Sequence, residues 1–339
     1  MPANLSPEYR AAEANFRKAR EPTERLEWLR EMLRTIPKHK GTDHLQADIK
    51  SRIKELSEAL AGPKKGAART GPATVIHPEG AAQVALIGPA NSGKSTLQAR
   101  LTGSHAEIGP YPFTTQFPQP AMLPFEDIYF QLIDLPPLTR EHPVPWLRNA
   151  LDPADACLLV VDLGDPECLD TLQAVLTILA ERRITLTSRW PGHQAPQPES
   201  PADDPFARRL PALLLASKAE RIPNLEEELK VFRELSGLRL PALAVSAETG
   251  MGLGELGPYL FHQLGVVRVY TKAPGRPPDK DKPFTLRQGE TVLDLASRVH
   301  RDLAQSLKYA RIWGGSHFNG QQVGRDHLLE DGDILELHA

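Results

Sequence analysis

Cysteine is nearly absent: Cys157 and Cys168 are the two in 339 residues, with no CxxC and no His/Cys cluster. A disulfide framework and a structural zinc site are thereby excluded. Aromatic residues amount to 6%, and no apolar run is longer than the stretch Ala156 to Val161. That falls far short of the ~20 residues that cross a bilayer. No apolar segment follows Met1, so neither a membrane span nor a secretory signal is expected and the chain reads as cytoplasmic. No Ser/His/Asp or Cys/His constellation presents itself, and scattered histidines such as His142 and His262 have no partner in the sequence. Net charge is small, −3 at pH 7, but uneven: +5 over residues 1–70, −9 over 71–265 and +1 over 266–339. A basic end on an acidic body fits either a polyanionic partner or a solvated helix face of mixed charge. Hydrophobic residues at 40% and charged residues at 24% describe an ordinary folded protein with room for two or three modules.

The spacing of Leu26, Leu29, Leu33 and Ile36, then of Leu45, Ile49, Ile53, Leu56 and Leu60, predicts helices. Pro37 to Gly41 separates them, giving a helical hairpin over residues 1–61, with Asp43 and Gln46 spaced as a capping box for the second arm. Residues 62–81 begin with the small, basic, Gly- and Pro-broken run GPKKGAARTGPAT and read as a linker. From residue 82 to 265, short apolar runs alternate with helix-length segments: Val84 to Ile87, Ile128 to Ile133, Cys157 to Val161, Leu213 to Ala216 and Leu243 to Val245. Buried parallel strands in an α/β sheet have this pattern. Residues 189–206, rich in Pro, Asp and Ser, are expected as an exposed loop, and Glu226 to Glu228 as a solvated helix face.

The most specific segment is Gly88-Pro89-Ala90-Asn91-Ser92-Gly93-Lys94-Ser95, which fits GxxxxGK[ST] between a strand and the helical run Thr96 to Leu101. In such a loop the glycines let backbone N–H groups curl around phosphate oxygens at a helix N-terminus. Lys94 supplies charge to the β- and γ-phosphates and the Ser95 hydroxyl ligates Mg²⁺. Nucleotide binding is the expectation, with Gly88, Asn91, Ser92, Gly93, Lys94, Ser95 and Thr96 around the phosphates.

Beyond this loop the sequence resembles the translation-factor-related P-loop GTPases, within them the Obg superfamily, and most closely the developmentally regulated GTP-binding (DRG) proteins. The resemblance implies a P-loop GTPase domain, GTP or GDP with Mg²⁺ as ligands, and a catalytic set of Lys94, Thr115 and Asp134. Tyr111-Pro112-Phe113-Thr114-Thr115 resembles the switch I motif, where Thr115, with Thr114 as the alternative, would complete a Mg²⁺ shell with Ser95 and Asp134. Asp134-Leu135-Pro136-Pro137 resembles the DxPG motif of switch II, but Pro137 replaces the glycine whose N–H meets the γ-phosphate. Leu138 stands where some GTPases place a water-orienting glutamine, a residue Obg relatives also lack. Ser217-Lys218-Ala219-Glu220 resembles NKxD, with Glu220 as the acceptor for guanine and Ser217 in place of the loop-bracing amide; Ser246-Ala247-Glu248 resembles the SAx motif. Guanine preference is expected to be weakened, and hydrolysis to be slow or partner-dependent.

Residues 266–339 resemble the TGS domain of DRG proteins, a small β-grasp module, through Val269-Tyr270-Thr271-Lys272, Val299-His300-Arg301-Asp302, Lys308 to Gly314 and Glu330-Asp331-Gly332-Asp333. Thr291 and Asp294 are spaced as a capping box, and Leu295, Val299 and Leu303 as one helical stripe; His300 and Trp313 read as packing residues. The hairpin, with Lys38, Lys40, Lys50, Arg52 and Lys54, resembles the DRG N-terminal region. The extra small domain that DRG proteins insert in the GTPase domain is not apparent, because Leu138 is followed within twenty residues by the strand at Cys157. The resemblance implies a switch acting on the ribosome or RNA through hairpin and TGS domain. The alternatives are a pseudo-GTPase scaffold, which Pro137 favours, and an ATP-binding Obg-like ATPase, which Glu220 favours and Ser246-Ala247 opposes.

Overall fold

The computed structural model describes residues 5–61, 75–103, 117–193, 204–314 and 318–339. The linker run 62–74, the switch I motif 111–115 and the middle of the 189–206 segment lie outside the described residues. Helices open the chain: α1 (Pro7–Lys18), α2 (Pro22–Thr35) and α3 (Asp43–Ala61). The expected hairpin thus gains a helix in front, whose Tyr9, Ala12 and Phe16 face α2 and α3 in one apolar cluster with Leu29, Met32 and Ile49. The capping box falls elsewhere than expected. His39 and Thr42 cap the short turn before α3, while Gln46 Nε2 donates to Thr42 Oγ1 at 3.3 Å.

The central unit is β1 (Ala82–Ile87), α4 (Lys94–Thr102), β2 (Gln119–Phe125), β3 (Ile128–Asp134), α5 (Leu147–Leu151), β4 (Ala156–Asp162), α6 (Cys168–Glu181), β5 (Ile184–Thr187), β6 (Arg208–Ser217), α7 (Leu225–Ser236), β7 (Ala242–Ala244) and α8 (Leu253–Gln263). The strands form one sheet in the order β2-β3-β1-β4-β6, with β5 and β7 both pairing β6. Every pairing is parallel except β2 with β3. Alternate residues of the buried strands serve opposite faces. Ile87, Leu159 and Val161 pack with Leu172, Val175 and Leu179 of α6. Leu86, Leu158 and Val160 pack with Leu97 of α4 and Leu256 and Leu260 of α8. Strand β2 carries Pro120 and Pro124, residues tolerated at a sheet edge because they have no N–H to pair.

The C-terminal unit is β8 (Val266–Thr271), β9 (Asp279–Arg287), α9 (Val292–Val299), α10 (Arg301–Ser306), β10 (Tyr309–Trp313), β11 (Gln321–Val323) and β12 (Asp333–His338). Its sheet runs β11-β10-β12-β8-β9, and Leu295 and Ala296 of α9 pack on one face. Thr291 and Asp294 form the expected capping box. The expected single stripe is broken, because His300, extended at φ −166°, ends α9 and caps α10 by accepting from the Asp302 N–H. Arg298 and Arg301 therefore sit on different helices, and Arg298 is bound to Glu290 at 2.7 Å.

Both ends are fastened to the central unit by partly buried carboxylates between α5 and β4. Asp152 meets Arg25 of α2 at 3.3 Å and Arg148 at 2.6 Å. Asp155 meets Arg20 at 3.0 Å and Arg287 of β9 at 3.2 Å, and accepts the Gln83 N–H at 2.9 Å. Two aromatic residues near the ends of the 189–206 segment are buried: Trp190 packs edge-on to Tyr259, and Phe206 lies against Phe16 and beneath the Arg52 guanidinium at 4.1 Å, while Arg189 and Pro191 are exposed as expected. Burial would raise the Asp152 carboxyl pKa, but Arg25, Arg148, Arg52 and Arg208 outweigh it and hold it below the usual range. A depressed carboxylate contributes stability that is complete above its unfolded value of ~3.9 and disappears as pH falls through the folded value. Asp152→Asn is therefore expected to destabilise by about 3 kcal/mol at pH 7, since breaking a buried pair strands its partners. Melting curves should show the gap between variant and parent closing below about pH 4; a constant gap at all pH values would refute the assignment.

Candidate nucleotide site

Strands β1, β3, β4, β6 and β7 run parallel and stop at one edge of the sheet. Ligands of open α/β sheets bind beyond such carboxyl ends, where neighbouring strands diverge. Four segments from the sequence reading gather there: residues 88–96 after β1, Asp134 at the end of β3, residues 217–220 after β6 and residues 246–248 after β7.

The loop after β1 needs its glycines. A Cβ on Gly88 would collide with the Val160 carbonyl oxygen, and Gly93, at φ +88°, turns the chain into α4. Asn91 also lies in the left-handed region, at φ +58°, and Thr96 stands exposed in the first turn of the helix. Lys94 is 5% exposed, its ammonium folded onto the loop: Nζ donates to Pro89 O at 2.7 Å, Gly88 O at 3.2 Å and Ser92 Oγ at 3.4 Å. Burial lowers its pKa to about 8, against the opposing pull of Asp134. Ser95 Oγ donates to Asp134 Oδ2 at 2.5 Å, and Asp134 is 1% exposed. This hydroxyl and carboxylate are the hard oxygen donors that magnesium takes, so the residues fit that ion. No group of three or more His, Cys, Asp or Glu suited to a metal occurs among the described residues. Thr115, the further ligand expected from the sequence, lies outside the described residues.

The segment that resembles switch II packs inward. Residues 134–138 are buried, Leu138 lies in the core cluster of α5 and α6, and its N–H donates to Gly88 O at 3.2 Å. The first backbone donor after Pro137 is thus already engaged with the phosphate loop.

In the segment after β6, Ser217 is 1% exposed and its hydroxyl lies 2.7 Å from Ser92 O and 3.1 Å from Val161 O. The expectation that Ser217 leaves the loop unbraced is corrected: a hydroxyl reaches the phosphate loop directly. Lys218, at φ +53°, pairs with Asp162 at 2.8 Å. Ala219 N–H donates to Val245 O at 3.2 Å and so ties this segment to the next. Glu220 follows on a short turn, its carboxylate 3.6 Å from Arg221. Ser246 is buried and accepts the Thr249 N–H at 3.0 Å, leaving Ala247 and Glu248 on the turn above it. Sequence reasoning missed Asp162 and Gln98. Asp162 offered one signal, an acid ending a core strand as Asp134 does; Gln98, whose amide donates to Gln119 O at 2.8 Å and Leu132 O at 3.1 Å, offered none.

Fold and site together define a P-loop nucleotide-binding protein. A family model described as 50S ribosome-binding GTPase matches residues 83–188, and one described as TGS domain matches residues 267–339. The chain is 29% identical over 353 residues to developmentally-regulated G-protein 1 of Arabidopsis thaliana, covering 91% of this chain and 88% of that one. It is 27% identical over 363 residues to an uncharacterised GTP-binding protein of Methanocaldococcus jannaschii, covering 93% and 92%. Both alignments exceed 339 residues, so these relatives hold segments without counterpart here. The solved Schizosaccharomyces pombe YchF GTPase shares the fold, with a TM-score of 0.51 at 14% identity over 77% of this chain and 98% of that one. Over most of its length the chain is similar to Obg/DRG-type P-loop GTPases, with a region similar to a TGS domain at residues 267–339.

A polyphosphate drawing Lys94 off its carbonyls would restore its full charge. Calorimetry in buffers of different ionisation heat should show nucleotide binding taking up about half a proton at pH 8, where the free group is half protonated. Affinity should be flat below about pH 8 in respect of this group and fall above it, and Lys94→Ala should lose both binding and uptake. Binding without proton uptake near pH 8 would contradict the assignment.

Proposed function

We propose that the chain is a guanine-nucleotide switch protein that takes GTP and GDP with Mg²⁺ and acts on the ribosome or an RNA. The observation that carries this reading is the meeting of Lys94, the Ser95–Asp134 pair and the two base-side segments at one sheet edge. The relatives' description as GTP-binding proteins supports the nucleotide, and the 50S ribosome-binding description of the matched family supports the partner. Ser246, Ala247 and Glu248 favour guanine, while Glu220 carries the aspartate's acceptor chemistry on a longer stem. An imperfectly paired buried contact costs roughly 1–3 kcal/mol, so guanine should win over adenine by one or two decades fewer than with an intact aspartate. Competition of fluorescent GDP against GTP and ATP tests this, and Glu220→Asp should widen the guanine margin. Equal or tighter binding of ATP would instead favour an Obg-like ATPase.

A second reading, a nucleotide-holding scaffold with slow or partner-dependent turnover, is favoured by Pro137 and by the inward packing of Leu138. Pro137→Gly supplies an N–H and should strengthen GTP over GDP by about tenfold, as a hydrogen bond to a charged group is worth ~1.5–3 kcal/mol. Robust turnover by the unmodified chain without a partner would falsify the scaffold reading.

For the ribosome or RNA, the exposed cations include Lys38 before α3, Lys50 and Lys54 of α3, and Arg301, Lys308 and Arg311 at the C-terminal end. Arg25 and Arg52 of the helical unit and Arg298 of α9 are engaged within the chain. Phosphate contacts weaken steeply with salt, so cosedimentation with ribosomes should decline as ionic strength rises. Salt-insensitive cosedimentation, or none at low salt, would count against this partner.

A further inference from the structure

We infer that the N-terminal helical unit and the central unit enclose a site for a monatomic anion, chloride in the first place, between the guanidinium groups of Arg25, Arg52 and Arg148. A cavity of about 20 Å³ opens where α2 and α3 meet α5, lined by these three arginines together with Asn149, Asp152 and Glu55. Two of the arginines are engaged. Arg25 meets Asp152 at 3.3 Å and donates to Ala19 O at 3.2 Å. Arg148 meets Asp152 at 2.6 Å and donates to the carbonyl oxygens of Arg182, Arg183 and Phe206. Arg52 differs: its guanidinium lies over the Phe206 ring at 4.1 Å, and among the described residues it has neither an ion pair nor a hydrogen bond. Stacking uses the face of a guanidinium and leaves its five in-plane N–H groups without acceptors.

Charge around the cavity is unbalanced. Arg208 acts on the same Asp152 carboxylate as the three lining arginines, so four cations face two acids, and one of these, Glu55, is exposed and already accepts from Ser51 Oγ at 3.2 Å. Burial, and after it the charge on Arg148, lowers the Arg52 pKa to about 10, so the group stays charged at neutral pH. A cation withdrawn from water requires a counter-charge and acceptors. Size decides which anion can supply them. A space of this volume holds one water-sized particle, which excludes phosphate, sulfate and carboxylates, whereas chloride fits and accepts from several N–H groups at once. Water would fill the same space but leave the charge uncompensated. The ion would join α2 and α3 to α5 beside Asp152, ahead of β4, at the end of the sheet opposite the nucleotide site. Its occupancy therefore does not depend on which nucleotide the chain takes.

The test uses the full chain in sodium chloride and in sodium gluconate at equal ionic strength, so that screening is the same in both. A ligand that binds the folded state raises its stability, and the parent should melt higher in chloride by about 2 °C or more. It should also broaden the ³⁵Cl resonance, and sulfate should not replace chloride in either measurement. Arg52→Met keeps the stem and removes the charge; it should melt alike in the two salts and lose the excess broadening. Arg52→Lys retains a charge on the same stem and should keep part of both effects. Crystals grown in bromide should show an anomalous peak between Arg25, Arg52 and Arg148. Equal melting of the parent in both salts without excess broadening would overturn the assignment, as would a chloride effect undiminished in Arg52→Met. A bromide peak with neither solution effect would mean an adventitious ion only, and would overturn it as well.

Discussion

The arrangement depends on where five parallel strands stop. Because β1, β3, β4, β6 and β7 share one direction, their C-terminal residues and the loops behind them are delivered to one edge, however far apart they lie in sequence. Parallel strands require crossover connections, and here helices α4 to α8 with their loops fill both faces and bury the sheet. The carboxylates Asp134 and Asp162 end β3 and β4 on either side of β1, and each meets a polar group from a neighbouring segment: the Ser95 hydroxyl and the Lys218 ammonium. The site is thus a property of strand termination, and the sheet core holds its members in place.

Charge distribution has an internal explanation. The basic first 70 residues and the acidic middle attract one another, and part of their opposite charge is spent in docking: Arg25 on Asp152, Arg20 on Asp155, and in reverse Arg183 on Asp48 at 2.9 Å. The C-terminal unit uses the same device. Arg287 reaches Asp155, and Arg268 binds Glu126, Asp127 at 3.0 Å and Asp331 at 2.8 Å, while the Tyr270 hydroxyl donates to Asp127 at 2.5 Å. Glu126 and Asp127 form the turn between β2 and β3, whose far end is Asp134. The charge imbalance in the sequence therefore measures attraction between units as much as any affinity for an outside polyanion.

What the sequence disclosed followed from local rules. Buried parallel strands announce themselves as apolar runs, so β1, β3, β4, β6 and β7 were legible, and the phosphate loop was marked by its glycines and lysine. Strand β2, with its two prolines and one exposed edge, and the four-residue β5 carry no such run. Residues 5–60 read as helical, but α1 was not separated from the hairpin because its buried face is Tyr9, Ala12 and Phe16 and lacks the leucine repeat that marks α2 and α3. The break at His300 was invisible because the apolar spacing continues across it while the backbone does not. Ser217 was misjudged for a different reason: residue type told what the position lacked, and only distance could show what its hydroxyl reaches.

The Gly88 carbonyl oxygen shows how far phosphate arrival can propagate. It has two lone pairs, and two donors share it, Lys94 Nζ and the Leu138 N–H, both at 3.2 Å. A phosphate competes well for the first, since an ammonium binds an anion more strongly than a neutral carbonyl. It has little hold on the second, because Leu138 is 2% exposed among the side chains of α5 and α6 and drawing its N–H outward would also unpack its isobutyl group. On the nucleotide-binding reading, ligand entry therefore releases the lysine and leaves switch II where it is. Pro137 cannot substitute, having no N–H. Among the described residues, the oxygen donors that would meet the γ-phosphate are Ser95 and Asp134, and Asp134 lies on β3, the strand whose opposite end is clamped by Arg268 and Tyr270 of the C-terminal unit. On that reading, a signal received at Asp134 would have a rigid strand to travel along toward the C-terminal unit.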